Sequence, residues 1–260
     1  MAGSAFRNFQ RAAAIGQRLQ PMVSLDPELR LQWSQAVWID RVSKLGQYAT
    51  GPSKWSKLKL DDPKTIERLE RKERGFDKHI LPVIMPHLSP QSSMLVVGFG
   101  PGRRLAHYLQ ATKGKCYGID FLDEMVGFAH QRLTSEGWGR VTEQFVFGIA
   151  TDLNANHAKG SKNMVTWERL GNHLVDDEDW LKGLDEAVSI LRPDGKFFLA
   201  ESVSDLNPGR QMNPGSKFRP FSDYITTLHS RGVSLLSAKE TRFAGDGYIL
   251  AVFGKTASGC

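Results

Sequence analysis

Three glycines at alternate positions, Gly98, Gly100 and Gly102, follow the apolar run Met94 to Val97 and lead into a helical segment that begins at Arg103. A strand that turns through glycine into a helix lets the backbone approach a ligand closely, and the helix start offers it unpaired N–H groups. The next apolar run ends in Tyr117-Gly118-Ile119-Asp120, so a carboxylate falls 20 residues after Gly100, where it could accept hydrogen bonds from a ribose diol. A pyrophosphate-binding loop usually has Gly or Ala where this chain has Arg103, which weakens the dinucleotide reading. Asp120 has a second reading, as the cap of a helix beginning near Asp123 or Glu124. Two further residues could move protons: His173, just beyond a fourth apolar run, and Glu201, at the end of a fifth. His173 could equally be a capping or packing residue ahead of the run Asp176-Asp177-Glu178-Asp179. That run itself reads as a helix N-terminus complementing the macrodipole, so no metal site is expected there.

The elements that must position these residues alternate. Met94 to Val97, Lys115 to Ile119, Gln144 to Phe147, Asn163 to Trp167 and Lys196 to Glu201 read as strands. Arg103 to Ala111, Glu124 to Ser135 and Asp177 to Leu191 read as helices between them. Such alternation implies an α/β fold whose mostly parallel sheet is covered on both faces. The C-terminal part differs: a helix near Phe221 to Ser230 precedes Val233 to Glu240 and Tyr248 to Gly254, which flank Ala244-Gly245-Asp246-Gly247 and suit an antiparallel hairpin. Ser202 to Ser222 is a long connection. We expect it to form part of a substrate lid, with Arg210, Lys217 and Arg219 attracting an anionic or carboxylate-bearing substrate, or else a solvated insertion.

The chain has 260 residues, 40% hydrophobic and 24% charged, which suits a large globular domain and excludes disorder as its main state. No apolar run approaches the roughly 18 residues of a membrane-spanning helix, so membrane insertion is not expected. With 2 cysteines there is neither a disulfide framework nor a Cys-rich zinc site, and a reducing compartment, cytoplasm or mitochondrial matrix, fits best. Of the net charge of +6, all lies in the first 80 residues, which hold 15 basic and 9 acidic side chains against 19 of each from 81 onward. Residues 1–25 contain Arg7, Arg11 and Arg18 and no acid, the composition of either a targeting sequence or an ordinary basic helix. Residues 26–88 read as a helical extension or cap that includes a loop with Tyr48 and Trp55. In it a highly charged helix opens at Asp62-Pro63 and runs through Arg74, its mixed charges read as a solvated face. Residues 89–260 form the main domain.

Taken together, Leu95 to Arg103, Gly118 to Met125, Gly148 to Leu153, Gly171-Asn172-His173-Leu174 and Leu191-Arg192-Pro193-Asp194-Gly195 resemble the class I S-adenosylmethionine-dependent methyltransferases. The group that methylates small molecules and protein termini is the most similar part of that family. The resemblance implies a Rossmann-like doubly wound sheet with a C-terminal antiparallel hairpin. It also implies an S-adenosylmethionine site formed by Gly98, Phe99, Gly100, Gly102, Arg103, Asp120, Phe121, Met125, Ile149, Ala150 and Asp152. In that site the glycine loop would hold the methionine part, Asp120 the ribose hydroxyls, and Met125 would pack near the adenine. Two positions depart from the family: Val96 replaces an acid that supports the glycine loop, and Ile149 replaces an acid for the adenine amino group, for which Asp152 could substitute.

The expected activity is methyl transfer to an N or O nucleophile of a small molecule or protein. Trp167 to Leu174 and Leu191 to Glu201 are similar to the protein N-terminal amine methyltransferases, which implies His173 and Glu201 as the catalytic pair. The rival expectation is a catalytically degenerate methyltransferase fold that serves as a binding or assembly subunit, docking a macromolecular partner through the basic N-terminal third.

Overall fold

The computed structural model describes residues 63–255, apart from 175, 210, 211, 214, 215 and 244. The basic segment 1–25, the extension up to residue 62 with Tyr48 and Trp55, and Arg210 lie outside the described residues.

Nine strands are present among them: β1 Met94–Val97, β2 Cys116–Asp120, β3 Phe145–Phe147, β4 Lys162–Glu168, β5 Leu191–Ser202, β6 Met212–Asn213, β7 Ser216–Lys217, β8 Val233–Phe243 and β9 Asp246–Lys255. Seven of them form one sheet in the order β3-β2-β1-β4-β5-β9-β8. The first five pair in parallel, and β9 runs antiparallel between β5 and β8, so the closing hairpin expected from the sequence is there. β1 is buried at every position, as a strand covered on both faces must be.

The helices are α1 Pro63–Ile84, α2 Leu105–Ala111, α3 Asp123–Ser135, α4 Asp177–Ile190 and α5 Phe221–His229. Alternate residues of each strand feed two apolar layers. Leu95, Val97, Val165, Trp167, Phe197 and Leu199 pack under α4 and α5, through Trp180, Leu184, Tyr224 and Leu228. Met94, Val96, Met164 and Phe198 face the other layer, filled by Phe76, Ile80 and Ile84 of α1, Leu105, Tyr108 and Leu109 of α2, and Ala129 and Leu133 of α3.

Helix α1 corrects the sequence reading. It does not end near Arg74 but runs on to Ile84, because Phe76, Ile80 and Ile84 recur every fourth residue and are wholly buried. Its charges are not all solvated either: Glu73 and Asp77, on the same face as Phe76 and Ile80, are buried. The connection after β5 is more structured than a loop. It contains a 3-10 turn at Ser204–Leu206 and the β6–β7 hairpin. Its base is fixed by Asn207, whose amide donates to Gly247 O at 2.8 Å while its Oδ1 accepts from Gly247 N at 2.9 Å.

Candidate functional site

A cavity of about 590 Å³ lies at the carboxyl edge of β1, β2 and β4, beside the point where the strand order reverses between β1 and β4. Val97 and Gly98 reach it from β1, and Ile119, Asp120 and Phe121 from β2. Gly148 to Asp152 come from the turn after β3, Leu170, His173 and Leu174 from the turn after β4, and Glu178, Asp179 and Lys182 from α4. Of the residues expected from the sequence, Gly98, Asp120, Phe121, Ile149, Ala150, Asp152 and His173 are thus brought together. Phe99, Gly100, Gly102, Arg103, Met125 and Glu201 are not among the lining residues. Leu170, Leu174 and the first turns of α4 were missed. Glu178 and Lys182 are four apart on one helix face, a signal the sequence did contain.

Asp120 joins the glycine loop to the cavity. Its Oδ2 accepts from Gly100 N at 2.8 Å and its Oδ1 from Leu122 N at 3.1 Å. The residue at the N-cap position of α3 is Leu122, so Asp120 braces the loop rather than capping that helix. Burial pushes its carboxyl up to about 6, against the opposing pull of the Gly100, Leu122 and Phe121 N–H groups. A carboxylate offers about four acceptor positions, so capacity remains for ligand hydroxyls.

The remaining loop residues build the support. Gly98, Gly100 and Gly102 all take positive φ, at 75°, 55° and 71°. A Cβ at 102 would also come within 2.7 Å of the Ala129 Cβ, so that position excludes any side chain. Phe99 stands edge-on to Phe145 at 5.9 Å, and Met125 is buried in the interior.

Arg103 turns away from the cavity, with Nε 2.5 Å from Asp77 Oδ2. Arg104, next to it, is buried and donates to Glu168 at 2.7 Å, Glu73 at 2.8 Å and Asp77 at 3.0 Å. Tyr108 O–H donates to Glu168 at 2.9 Å, and Arg169 pairs with Glu73 at 2.6 Å. Val96 pairs with Thr166 across β1 and β4, and Glu168 lies two residues farther along the same face of β4. A buried carboxylate therefore stands on the strand beside Val96 and binds Arg104, the residue just ahead of α2.

Glu201 is fully buried, and its Oε1 accepts from Gly171 N at 2.5 Å while its Oε2 has no partner. Burial raises its carboxyl to about 8, outweighing the Gly171 and Leu170 N–H groups and the charges of Arg169 and Arg219. Between the unfolded value of 4.5 and 8 the native chain therefore holds a proton that the unfolded chain has released. Stability falls as pH rises through that window and levels off above it, a loss on the order of 5 kcal/mol. In Glu201→Gln this limb disappears from the pH dependence of thermal unfolding. Superimposable wild-type and variant curves would show that Glu201 ionises like an exposed acid.

Lys217 and Arg219 do not form an anion trap. Lys217 Nζ is 2.6 Å and Arg219 Nη2 2.8 Å from Asp177, so both charges are already paired. Arg219 also donates to Gly171 O at 3.0 Å and Leu174 O at 2.8 Å. Asp176, not His173, caps α4, accepting from Glu178 N at 2.8 Å and Asp179 N at 3.4 Å.

Residues 94–195 match a family model described as a methyltransferase domain. No curated protein matches the chain in sequence. Among solved structures, it is similar to 1,6-didemethyltoxoflavin-N1-methyltransferase of Burkholderia thailandensis, determined with 1,6-didemethyltoxoflavin and S-adenosylhomocysteine bound. The two share 15% identity over 92% of this chain and 93% of that one, with a TM-score of 0.62. Geranyl diphosphate C-methyltransferase of Streptomyces coelicolor, solved with Mg2+, geranyl diphosphate and S-adenosyl-L-homocysteine, matches at 11% identity, 74% and 83% coverage and a TM-score of 0.57. A SAM-dependent methyltransferase of Methanosarcina mazei matches at 16% identity over 67% of this chain and 97% of that one, TM-score 0.57. At these identities the likeness is one of fold.

Proposed function

We propose that the chain, whose residues 94–195 match a methyltransferase domain, is a class I, S-adenosylmethionine-dependent enzyme that transfers a methyl group to an N or O nucleophile of a small molecule or protein. The reading rests above all on Asp120, a buried carboxylate braced by the Gly100 and Leu122 N–H groups and facing a cavity at the sheet's switch point. The cavity suits a nucleoside: Ile119, Ile149 and Leu170 offer apolar walls for a flat base, and Asp120 offers acceptors for a diol. Asp152, also in the lining, is the acceptor proposed for an exocyclic amine in place of the acid that Ile149 displaces.

When bound, S-adenosylmethionine supplies a methyl group on a positively charged sulfur, an electrophile that needs no further activation. The protein's task is then to align the acceptor and exclude water. Leu170 and Leu174 keep the wall beside His173 apolar, and His173 is the group proposed to take a proton from an acceptor that arrives protonated. Glu201 is not placed to do so itself, being buried behind the Gly171 peptide. The basic excess before residue 80 is the proposed contact for a macromolecular partner. No helix among the described residues is long and apolar enough to cross a membrane.

Native mass spectrometry of the purified chain tests the cofactor assignment. The expected result is a retained S-adenosylmethionine or S-adenosylhomocysteine that dissociates on activation; a bound nicotinamide nucleotide would overturn it.

A further inference from the structure

The Gly171 peptide, two residues before His173, is gripped on both sides. Its N–H donates to Glu201 Oε1 at 2.5 Å, and its carbonyl accepts from Arg219 Nη1 at 3.0 Å. Arg219 then reaches Leu174 O at 2.8 Å through Nη2, so one guanidinium spans His173 from both directions along the chain. The Lys217 N–H donates to Asn172 O at 2.9 Å. Four consecutive residues, 171 to 174, are thereby bounded by β5 on one side and by the end of the β6–β7 insertion on the other. Glycine is required at 171, since a side chain there would collide with the Tyr224 hydroxyl.

Neither jaw touches the cavity. Glu201 is 0% and Arg219 2% exposed, and Arg219 is further held by Asp177 and by stacking over Trp180 at 4.5 Å. Glu201 carries an unpartnered Oε2, and Trp167 Nε1, which lies close to Gly171, is unpartnered as well. A buried acid with an idle oxygen is poor for stability alone, because an apolar side chain of similar volume is commonly as good or better.

We infer that Glu201 and Arg219 are positioning residues: a two-jawed clamp on the Gly171 peptide that sets where the His173 imidazole enters the cavity and couples it to the β6–β7 insertion. The inference rests on the proposed role of His173. It changes the expected catalytic pair into one residue that faces the acceptor and one that acts through the backbone.

The test is carbon–proton NMR of the histidine rings in the ligand-free full chain. Arg219→Lys, whose single ammonium cannot serve both Gly171 and Leu174, should displace the His173 cross-peak and leave that of His107 on α2 in place. Glu201→Leu should displace it too, whereas Glu201→Gln, which keeps an acceptor for Gly171 N–H, should leave it within the linewidth. Ile80→Ala, a destabilising change in the opposite layer, should lower the melting temperature without moving the peak. Arg219→Lys and Glu201→Leu spectra that match wild type at His173, with lowered melting temperatures, would reduce the clamp to ordinary packing. If Glu201→Leu fails to fold, the Arg219→Lys spectrum decides. The proposed activity is read separately: S-adenosylhomocysteine should bind Arg219→Lys within about threefold of wild type, because Asp120 is untouched.

Discussion

Replacing Asp120 by alanine should weaken S-adenosylhomocysteine binding by about a hundredfold, roughly 3 kcal/mol. Two losses combine. The ligand loses a charge-assisted acceptor for its hydroxyls, and the glycine loop loses the brace formed by the 2.8 Å bond from Gly100 N. Asp120→Asn separates them, since one oxygen remains for the backbone, and a loss nearer tenfold is expected. The pH dependence has a definite sign. Because burial holds the Asp120 carboxyl up at about 6, affinity should decline as pH drops below that value and be flat above it. Calorimetric dissociation constants for the three proteins measure all of this. Equal values for wild type and Asp120→Ala would remove Asp120 from the site.

Removing Arg104 should be the most destabilising single change at the site. The guanidinium is buried among Glu168, Glu73 and Asp77, all within 3.0 Å, and deleting it removes the one cation shared by these buried carboxylates, leaving Arg169 to Glu73, Arg103 to Asp77 and only the Tyr108 hydroxyl to Glu168. Breaking a buried ion pair from one side costs about 3–5 kcal/mol, which for a chain of this size lowers the melting temperature on the order of 10 °C. Arg104→Lys should recover only part of it, because an ammonium cannot reach three carboxylates with the geometry of a guanidinium. Burial alone would raise the Glu73 carboxyl, but Arg169 and Arg104 overcome it and hold it at about 2. The stabilisation from Glu73 is thus complete above its unfolded value of 4.5 and is lost as pH falls toward 2. Thermal unfolding followed by circular dichroism at pH values on both sides of that window checks the magnitude and the sign. A change of less than about 2 °C in Arg104→Ala would mean that the network is solvated.

The parallel strands were legible because each is a short apolar run bounded by turn residues, and the closing hairpin because Ala244-Gly245-Asp246-Gly247 is rich in turn residues. Asp120 was legible for a local reason as well: its distance from Gly100 along the chain is fixed by one strand-helix-strand unit. The ion network was not. Its members come from α1, α2 and β4, and Arg169 and Glu73 are separated by 96 positions, so charges that look solvated along the sequence of α1 become buried only once β4 is beside them. The same holds for Arg219. Read alone, a cation in a Gly- and Pro-rich connection suggests an anion site. Asp177 and the carbonyls of Gly171 and Leu174, brought to it by the fold, have already taken up its donors. Glu201 was correctly placed at the strand edge, yet its burial depends on β9 and α5, which no spacing within β5 reveals.

Val96 stands where the family that the sequence resembles has an acid. Val96 packs with Met94, Met164 and Phe198, and Glu168 lies on the adjacent strand. Glu168 accepts from Arg104, two positions past Gly102, at 2.7 Å.

Isothermal titration of S-adenosylhomocysteine into the wild-type chain tests the account most directly. One ligand should bind per chain, with an affinity that Asp120→Ala sharply reduces. No heat at millimolar ligand, together with an unchanged melting temperature, would contradict the assignment of this cavity to an S-adenosylmethionine-type cofactor.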